Sequence, residues 1–261
     1  MIDTRLELPA RELRQSGPRR TGLTMVIDTG LFTGQFVDAI ESVGEHVDLV
    51  KFGWCTALVT RDIKRKIDVL REAGITFYFG GTLFERFALD GMVDEFRDLC
   101  RSLGATHVEV SNGTIAMNNA EKARWVAAMA DEFTVISEVG FKDPGRAGAM
   151  SGTEWIDAID LDLAAGATLV TAEARESGRS GLCHPDGRPR DAIVEDVLTS
   201  GVDVEKLLFE APTKELQTFF IKRLGPSVNL GNVHAQDVLA LETLRLGLRS
   251  DTMATSIRTG R

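Results

Sequence analysis

The feature that most constrains this chain is one grammar repeated from Thr24 onward: a short apolar run, a polar or glycine-rich exit, then an amphipathic stretch. The apolar runs are Thr24–Thr29, His46–Phe52, Ile75–Phe79, His107–Ser111, Thr134–Val139, Thr168–Glu173, Lys206–Glu210 and Ser227–Leu230. Between them the apolar residues take helical spacing. Ile63, Ile67 and Leu70 recur at i, i+4, i+7, and Ala123, Val126, Ala127 and Ala130 at i, i+3, i+4, i+7; Ile156, Ile159 and Leu163 follow suit. Gly44, Gly74, Gly104 and Gly166 fall where helix ends belong. Thr82 with Glu85, and Ser151 with Glu154, have the spacing of capping boxes at helix starts. Eight strand–helix units predict a single-domain (β/α)8 TIM barrel over residues 21–252, with residues 1–20 as an amino-terminal arm and 253–261 as a tail. A doubly wound sheet uses the same grammar with fewer strands.

Charge narrows the partners. Thirty Lys and Arg against 39 Asp and Glu give a net charge of −9, which argues against a nucleic-acid or anionic-membrane surface. Three scattered cysteines, Cys55, Cys100 and Cys183, without paired spacing suggest a reducing, cytoplasmic setting rather than a zinc site or a disulfide framework. No apolar run approaches membrane-spanning length. The expected partners are a small anionic substrate and further copies of the chain.

A barrel of this type builds its active site at the carboxyl ends of the strands. The stretch Thr168–Gly181 shows how: a β-branched run ends in Glu173, Arg175, Glu176 and Arg179, then loosens into glycine and serine. Arg forks onto phosphate or carboxylate, although a salt-bridge network at a strand exit would look the same. Lys51 shares strand parity with Val47 and Leu49, so it points inward and needs an anionic partner, a ligand or a carboxylate such as Glu85. Gly80, Gly81 and Thr82 are either a tight turn or a set of backbone N–H groups offered to an anion. Glu85 reads as the acid of the capping box. Asn112 and Asn229 are the polar groups assigned to substrate at two further strand exits. Glu138, Glu173 and Glu210 end successive strands and would repel one another unless cations intervene. Mg²⁺ would relieve that repulsion; pairing with Lys51, Lys142 and Arg175 would do so too.

The strand ends together resemble the phosphosulfolactate synthase family. The shared pieces are VIDTGL, DLVKFGW, GGTLFE, VEVSNG, SEVGFK, EARESG, LFEAP, VNLGNV and LETLRLGLRSDT, in order from Gly22 to Thr252. The resemblance implies a Mg²⁺-dependent lyase that adds sulfite to phosphoenolpyruvate. The chain departs from the family pattern at Thr29 and Phe141, where lysines are usual, at Cys55 and Ala57, and at Asn112 and His184, where aspartates are usual. The lysine usual at Phe141 is associated with catalysis, so Lys142, one residue along, becomes the replacement, with Lys51 and Glu138 as its catalytic companions. Strand parity opposes that role for Lys142 unless the loop turns it inward. Loss of the lysine implies a poor synthase that a Phe141→Lys change would improve. The alternatives are a diverged member using another substrate, and a non-catalytic barrel of the family's heat-stress type, acting through protein contacts.

Overall fold

The structure, a computed structural model, describes residues 18–253; most of the expected arm and of the expected tail lies outside the described residues. Eight parallel strands, β1 (Thr24–Asp28), β2 (Leu49–Phe52), β3 (Thr76–Phe79), β4 (His107–Val110), β5 (Thr134–Val139), β6 (Leu169–Ala172), β7 (Leu207–Glu210) and β8 (Leu230–Val233), form one sheet. Its order is β3-β2-β1-β8-β7-β6-β5-β4. The sheet is curled into a nearly closed barrel, with β3 and β4 side by side at the seam. Gly81 N donates to Glu109 Oε2 across that seam at 2.5 Å.

The outer faces of the strands carry Val26, Val50, Phe79, Val108 and Val170 against the surrounding helices. These helices are α1 (Thr33–Val43), α2 (Ile63–Glu72), α3 (Gly81–Leu89), α4 (Val93–Ser102), α5 (Asn119–Ala130), α6 (Pro144–Ala149), α7 (Gly152–Ala164), α8 (Asp191–Thr199), α9 (Lys214–Leu224) and α10 (Val238–Arg245). Inside the barrel a separate cluster of Leu23, Met25, Leu49, Tyr78, Ile136 and Leu208 fills the lower layer. Side chains alternate along a strand. Two residues beyond Leu49, Ile136 and Leu208 the same inner face therefore presents Lys51, Glu138 and Glu210. An apolar plug below and a charged layer above follow from that parity alone.

The expected boundaries hold within a few residues except at β8, which begins where the run Ser227–Leu230 was expected to end. Asn229 consequently sits at the amino end of the barrel. Its Oδ1 accepts from Leu23 N at 3.0 Å, and its Nδ2 donates to Glu205 O and Leu207 O at 2.8 and 3.0 Å. It ties strand starts together, far from any substrate mouth. The Ser151–Glu154 capping box forms at the start of α7. The Thr82–Glu85 box does not: α3 begins after Gly80 with no side-chain cap, and Glu85 is buried. Gly74, Gly104 and Gly166 take positive φ, whereas Gly44 stays helical at φ −57°.

Asp28, at the end of β1, faces α2 rather than the barrel axis. Lys66 Nζ lies 2.5 Å from Asp28 Oδ2 and 2.6 Å from Leu31 O, while Asp28 Oδ1 accepts from Gly30 N and Leu31 N at 2.8 Å each. Both side chains are buried. Removing one partner of such a pair strands a buried charge, so Lys66→Met should lower unfolding free energy by about 3–5 kcal/mol in a denaturant titration. A loss below about 1 kcal/mol would place the pair among exposed bridges of little weight.

Candidate active site

At the carboxyl ends of the strands four buried glutamates, Glu109, Glu138, Glu173 and Glu210, surround two lysines. Lys51 Nζ is 3.1 Å from Glu210 Oε1, 3.5 Å from Glu109 Oε1 and 3.9 Å from Glu138 Oε2. Lys142 Nζ is 2.5 Å from Glu138 Oε1 and 3.2 Å from Glu173 Oε2. The partners of Lys51 are thus the strand-end glutamates, not Glu85.

Lys142 reaches the cluster because the chain leaves strand geometry at Gly140. That residue has φ +124°, and a Cβ there would sit 2.6 Å from Glu173 Cβ and 2.8 Å from the Trp155 ring. Glycine alone fits, and the turn it makes cancels the parity that would send Lys142 outward. Phe141 packs against the outer apolar layer, with the Arg146 guanidinium 3.9 Å over its ring. The cation of this loop therefore stands at position 142.

Backbone groups fix the carboxylates. Glu210 Oε2 accepts from Ala174 N at 2.9 Å, and Glu173 Oε1 from Arg175 N at 2.6 Å. Arg175 adopts φ +63°, which ends the alternation begun on β6. The first N–H of α3 is taken by Glu109, so the Gly80-Gly81-Thr82 turn already holds an anion, one supplied by the protein. Gly81 permits this approach: a Cβ would collide with Ser111 at 2.5 Å. Gly80 packs against the Lys51 stem, and Thr82 lies in the first turn of α3.

Glu85 is a site-shaping residue that helical spacing disguised as a cap. It accepts a short hydrogen bond from Ser111 Oγ and another from Thr114 N at 3.1 Å, ordering the loop after β4. Asn112 in that loop is occupied structurally, donating to Met117 O at 2.9 Å and Asn119 Oδ1 at 3.0 Å. Arg175 is partly exposed, its Nε 3.6 Å from Glu176 and its Nη1 3.4 Å from Lys142 O. Arg179 lines a cavity of about 130 Å³ with Gly148, Ser180, Cys183, His184 and Arg190. No member of the lysine–glutamate cluster lines that cavity, so Arg179 stands apart from Lys51 and Lys142. Two further residues belong here. Glu109 completes the cluster, and Tyr78, in register with Lys51, buries an Oη with no hydrogen-bond partner.

The electrostatics are those of carboxylates in excess. Burial alone would lower the pKa of Lys51, but Glu109, Glu210 and Glu138 outweigh it and hold the amine well above its usual value. Burial likewise opposes, and Glu138, Glu173 and Glu85 prevail, at Lys142. Both are ammonium groups at neutral pH. Burial raises Glu109, and burial with the nearby Glu173 raises Glu138. Glu173 is pushed up to about 7, first by burial and then by the neighbouring Glu210. Glu109 Oε1 and Glu173 Oε2 face lysines without a well-formed hydrogen bond.

With all four glutamates ionised the cluster carries two negative charges in excess, the charge of one divalent cation. Among the described residues no three His, Cys, Asp or Glu side chains are drawn together as metal ligands; the lysines stand between Glu138 and the others. The donor set nevertheless suits Mg²⁺, which is often held by one or two carboxylates plus substrate oxygens and water. Glu173 and Glu210, at the ends of neighbouring strands, are the carboxylates that could hold it.

Glu173 also gives a pH signature. In the folded chain it keeps its proton up to about pH 7, against the usual carboxylate value of 4.5. Between those values the folded state binds the extra proton, so this group's contribution to stability falls as pH rises through the window and levels off above it. Glu173→Gln should therefore gain melting temperature relative to the unsubstituted protein from pH 5 to pH 8. Parallel curves would show that Glu173 is not perturbed.

A family model for (2R)-phospho-3-sulfolactate synthase (ComA) matches residues 12–251. A phosphosulfolactate synthase of Bacillus subtilis is 49% identical over 97% of this chain and 99% of its own. One from Methanothermobacter thermautotrophicus is 41% identical over 92% and 94%. Among solved structures, a phosphonopyruvate hydrolase superposes with a TM-score of 0.54 at 13% identity, covering 91% of this chain and 84% of that one; at that identity the likeness concerns the fold. The barrel, the strand-end cluster and these matches lead to one conclusion: the chain belongs to the phosphosulfolactate synthase family.

Proposed function

We propose that the protein is a lyase joining sulfite to phosphoenolpyruvate, with Mg²⁺ as cofactor and phosphosulfolactate as product. The observation that carries this reading is Lys142, a protonated amine set between Glu138 and Glu173, with its side chain 26% exposed at the rim of an otherwise buried cluster. It is the member of the cluster best able to meet a substrate.

The sulfur lone pair of sulfite attacks the methylene carbon of phosphoenolpyruvate. The double-bond electrons move toward the carboxylate, which becomes enediolate-like. The adjacent carbon then takes a proton, and the phosphate ester stays intact. Charge grows on the carboxylate oxygens during the attack, and fixed cations in a buried site stabilise it strongly. Lys51 is held in place for that task by Glu210, Glu109 and Glu138. Lys142 supplies the proton, with Glu138 orienting its amine. Mg²⁺, bound by Glu173 and Glu210, would supply further positive charge against the substrate carboxylate. Gly80 lies beside the Lys51 stem, and Arg175 reaches the backbone carbonyl of Lys142.

Free thiols at all three cysteines suit a reducing cytoplasm, and no helix among the described residues is long and apolar enough to cross a membrane. A purely protective, non-catalytic role is not favoured beside relatives that are synthases. With Lys142 in the cluster, the absence of a lysine at 141 no longer implies a poor enzyme, and Phe141→Lys should bring no gain. Phosphoenolpyruvate consumption with sulfite and Mg²⁺ should be measurable, and Lys142→Ala should lower the rate by about 10²–10⁴-fold, the usual weight of general acid catalysis. An inert unsubstituted protein would sink the substrate assignment. A Lys142→Ala rate within about twofold of the original would sink the proton donor instead.

A further inference from the structure

Strand β8 carries a bulge near the mouth. Thr24 of β1 aligns with Leu230 and Val26 with Val233, so Gly231 and Asn232 together stand against the single Met25. Leu230 and Val233 both pack in the outer layer with Val26. The extra residue therefore falls on the inner side, where a Cβ on Gly231 would meet Met25 and Leu208. Bulges of this kind re-aim side chains next to active sites.

Asn232 occupies the bulge with φ +52°. It is 3% exposed, and its Oδ1 has no hydrogen-bond partner. Gly231 lies in register with Glu210, so Asn232 is one residue further toward the mouth, beside the strand that supplies the Glu210 carboxylate. Left-handed backbone favours asparagine, which accounts for the residue type but not for a buried amide left unsatisfied. Leaving such a group unmade is costly, and native structures seldom do it without a ligand or a role.

We propose that Asn232 is a substrate-binding residue, its carboxamide hydrogen-bonding the anionic substrate on the β8 side of the mouth. The inference rests on the reading of the site as one that takes phosphoenolpyruvate. A carboxamide offers two N–H donors and one acceptor oxygen and can turn end for end with little change of shape. It can therefore donate to a carboxylate or phosphate oxygen without adding charge to a cluster already rich in carboxylate. Lys51 and Lys142 provide the charge; Asn232 provides direction.

Two substitutions separate this role from a backbone one. Asn232→Gly keeps the left-handed conformation and deletes the carboxamide; Asn232→Asp keeps the size and the local preference but replaces the donors with a carboxylate. Calorimetric titration with phosphoenolpyruvate and Mg²⁺ should give a Kd weakened roughly ten- to hundredfold in the glycine variant, the weight of one hydrogen bond to a charged group. The aspartate variant should bind more weakly still, and both should melt near the unsubstituted temperature. Unchanged affinity in either folded variant would overturn the inference and leave Asn232 a backbone device. Failure of the unsubstituted, folded protein to bind phosphoenolpyruvate would overturn the substrate reading and this inference together. The two failures differ in whether the unsubstituted protein binds.

Discussion

The ammonium of Lys51, buried against three glutamates, is the interaction on which the rest of the mouth depends. An unpaired charge at this depth is strongly unfavourable, and so is a ring of carboxylates without a cation. Each makes the other tolerable. Glu210, Glu109 and Glu138 come from β7, β4 and β5, so one amine from β2 ties together strands on both sides of the barrel. The apolar layer of Met25, Leu49, Ile136 and Leu208 beneath it keeps water out and makes the electrostatics strong. Breaking a buried pair is known to cost more than making it contributes. The cluster is therefore better understood as a device for placing charge than as a source of stability.

A second lysine enters from a loop. Lys142 brings its charge to the rim, where it is more exposed than Lys51. On the proposed reading the labour divides: the buried strand lysine would serve electrostatically, and the more exposed loop lysine would transfer the proton. Around them the glutamates remain in excess, and Glu173 answers by keeping its proton to near neutrality. A site with surplus negative charge is ill suited to an anionic substrate without a further cation. On the proposed reading, Mg²⁺ held by Glu173 and Glu210 would cancel that surplus, and substrate and cation would bind as partners.

Strand parity made much of this legible in the sequence. Leu49 and Lys51, Ile136 and Glu138, and Leu208 and Glu210 each follow the same two-residue step from plug to charged layer, and that step needs only the alternation of side chains. Legibility failed wherever backbone left ideal geometry. Gly140 turns the chain after β5 and brings Lys142 inward against parity. In VNLGNV the strand starts at Leu230, which leaves Asn229 on the barrel floor, and a bulge within it adds a residue toward the mouth, where Asn232 sits. Thr82 and Glu85 have the spacing of a cap, but Gly80 starts the helix and Glu85 serves the loop after β4 instead. Arg179 has the right chemistry in the right segment, yet its loop folds it toward Cys183 and Arg190. Spacing reports which residues share a face of a regular element; it carries no information about loops whose φ angles are positive.

On the proposed reading, substrate binds over the lysine–glutamate cluster rather than in the arginine-lined cavity of the loop after β6. A crystal structure of the protein grown with phosphoenolpyruvate and Mn²⁺ tests it most directly. The account predicts the anion within hydrogen-bonding reach of both Lys51 Nζ and Lys142 Nζ, with metal density between its oxygens and the Glu173–Glu210 pair. Phosphoenolpyruvate seated instead against Arg179, with the cluster undisturbed and free of metal, would contradict it.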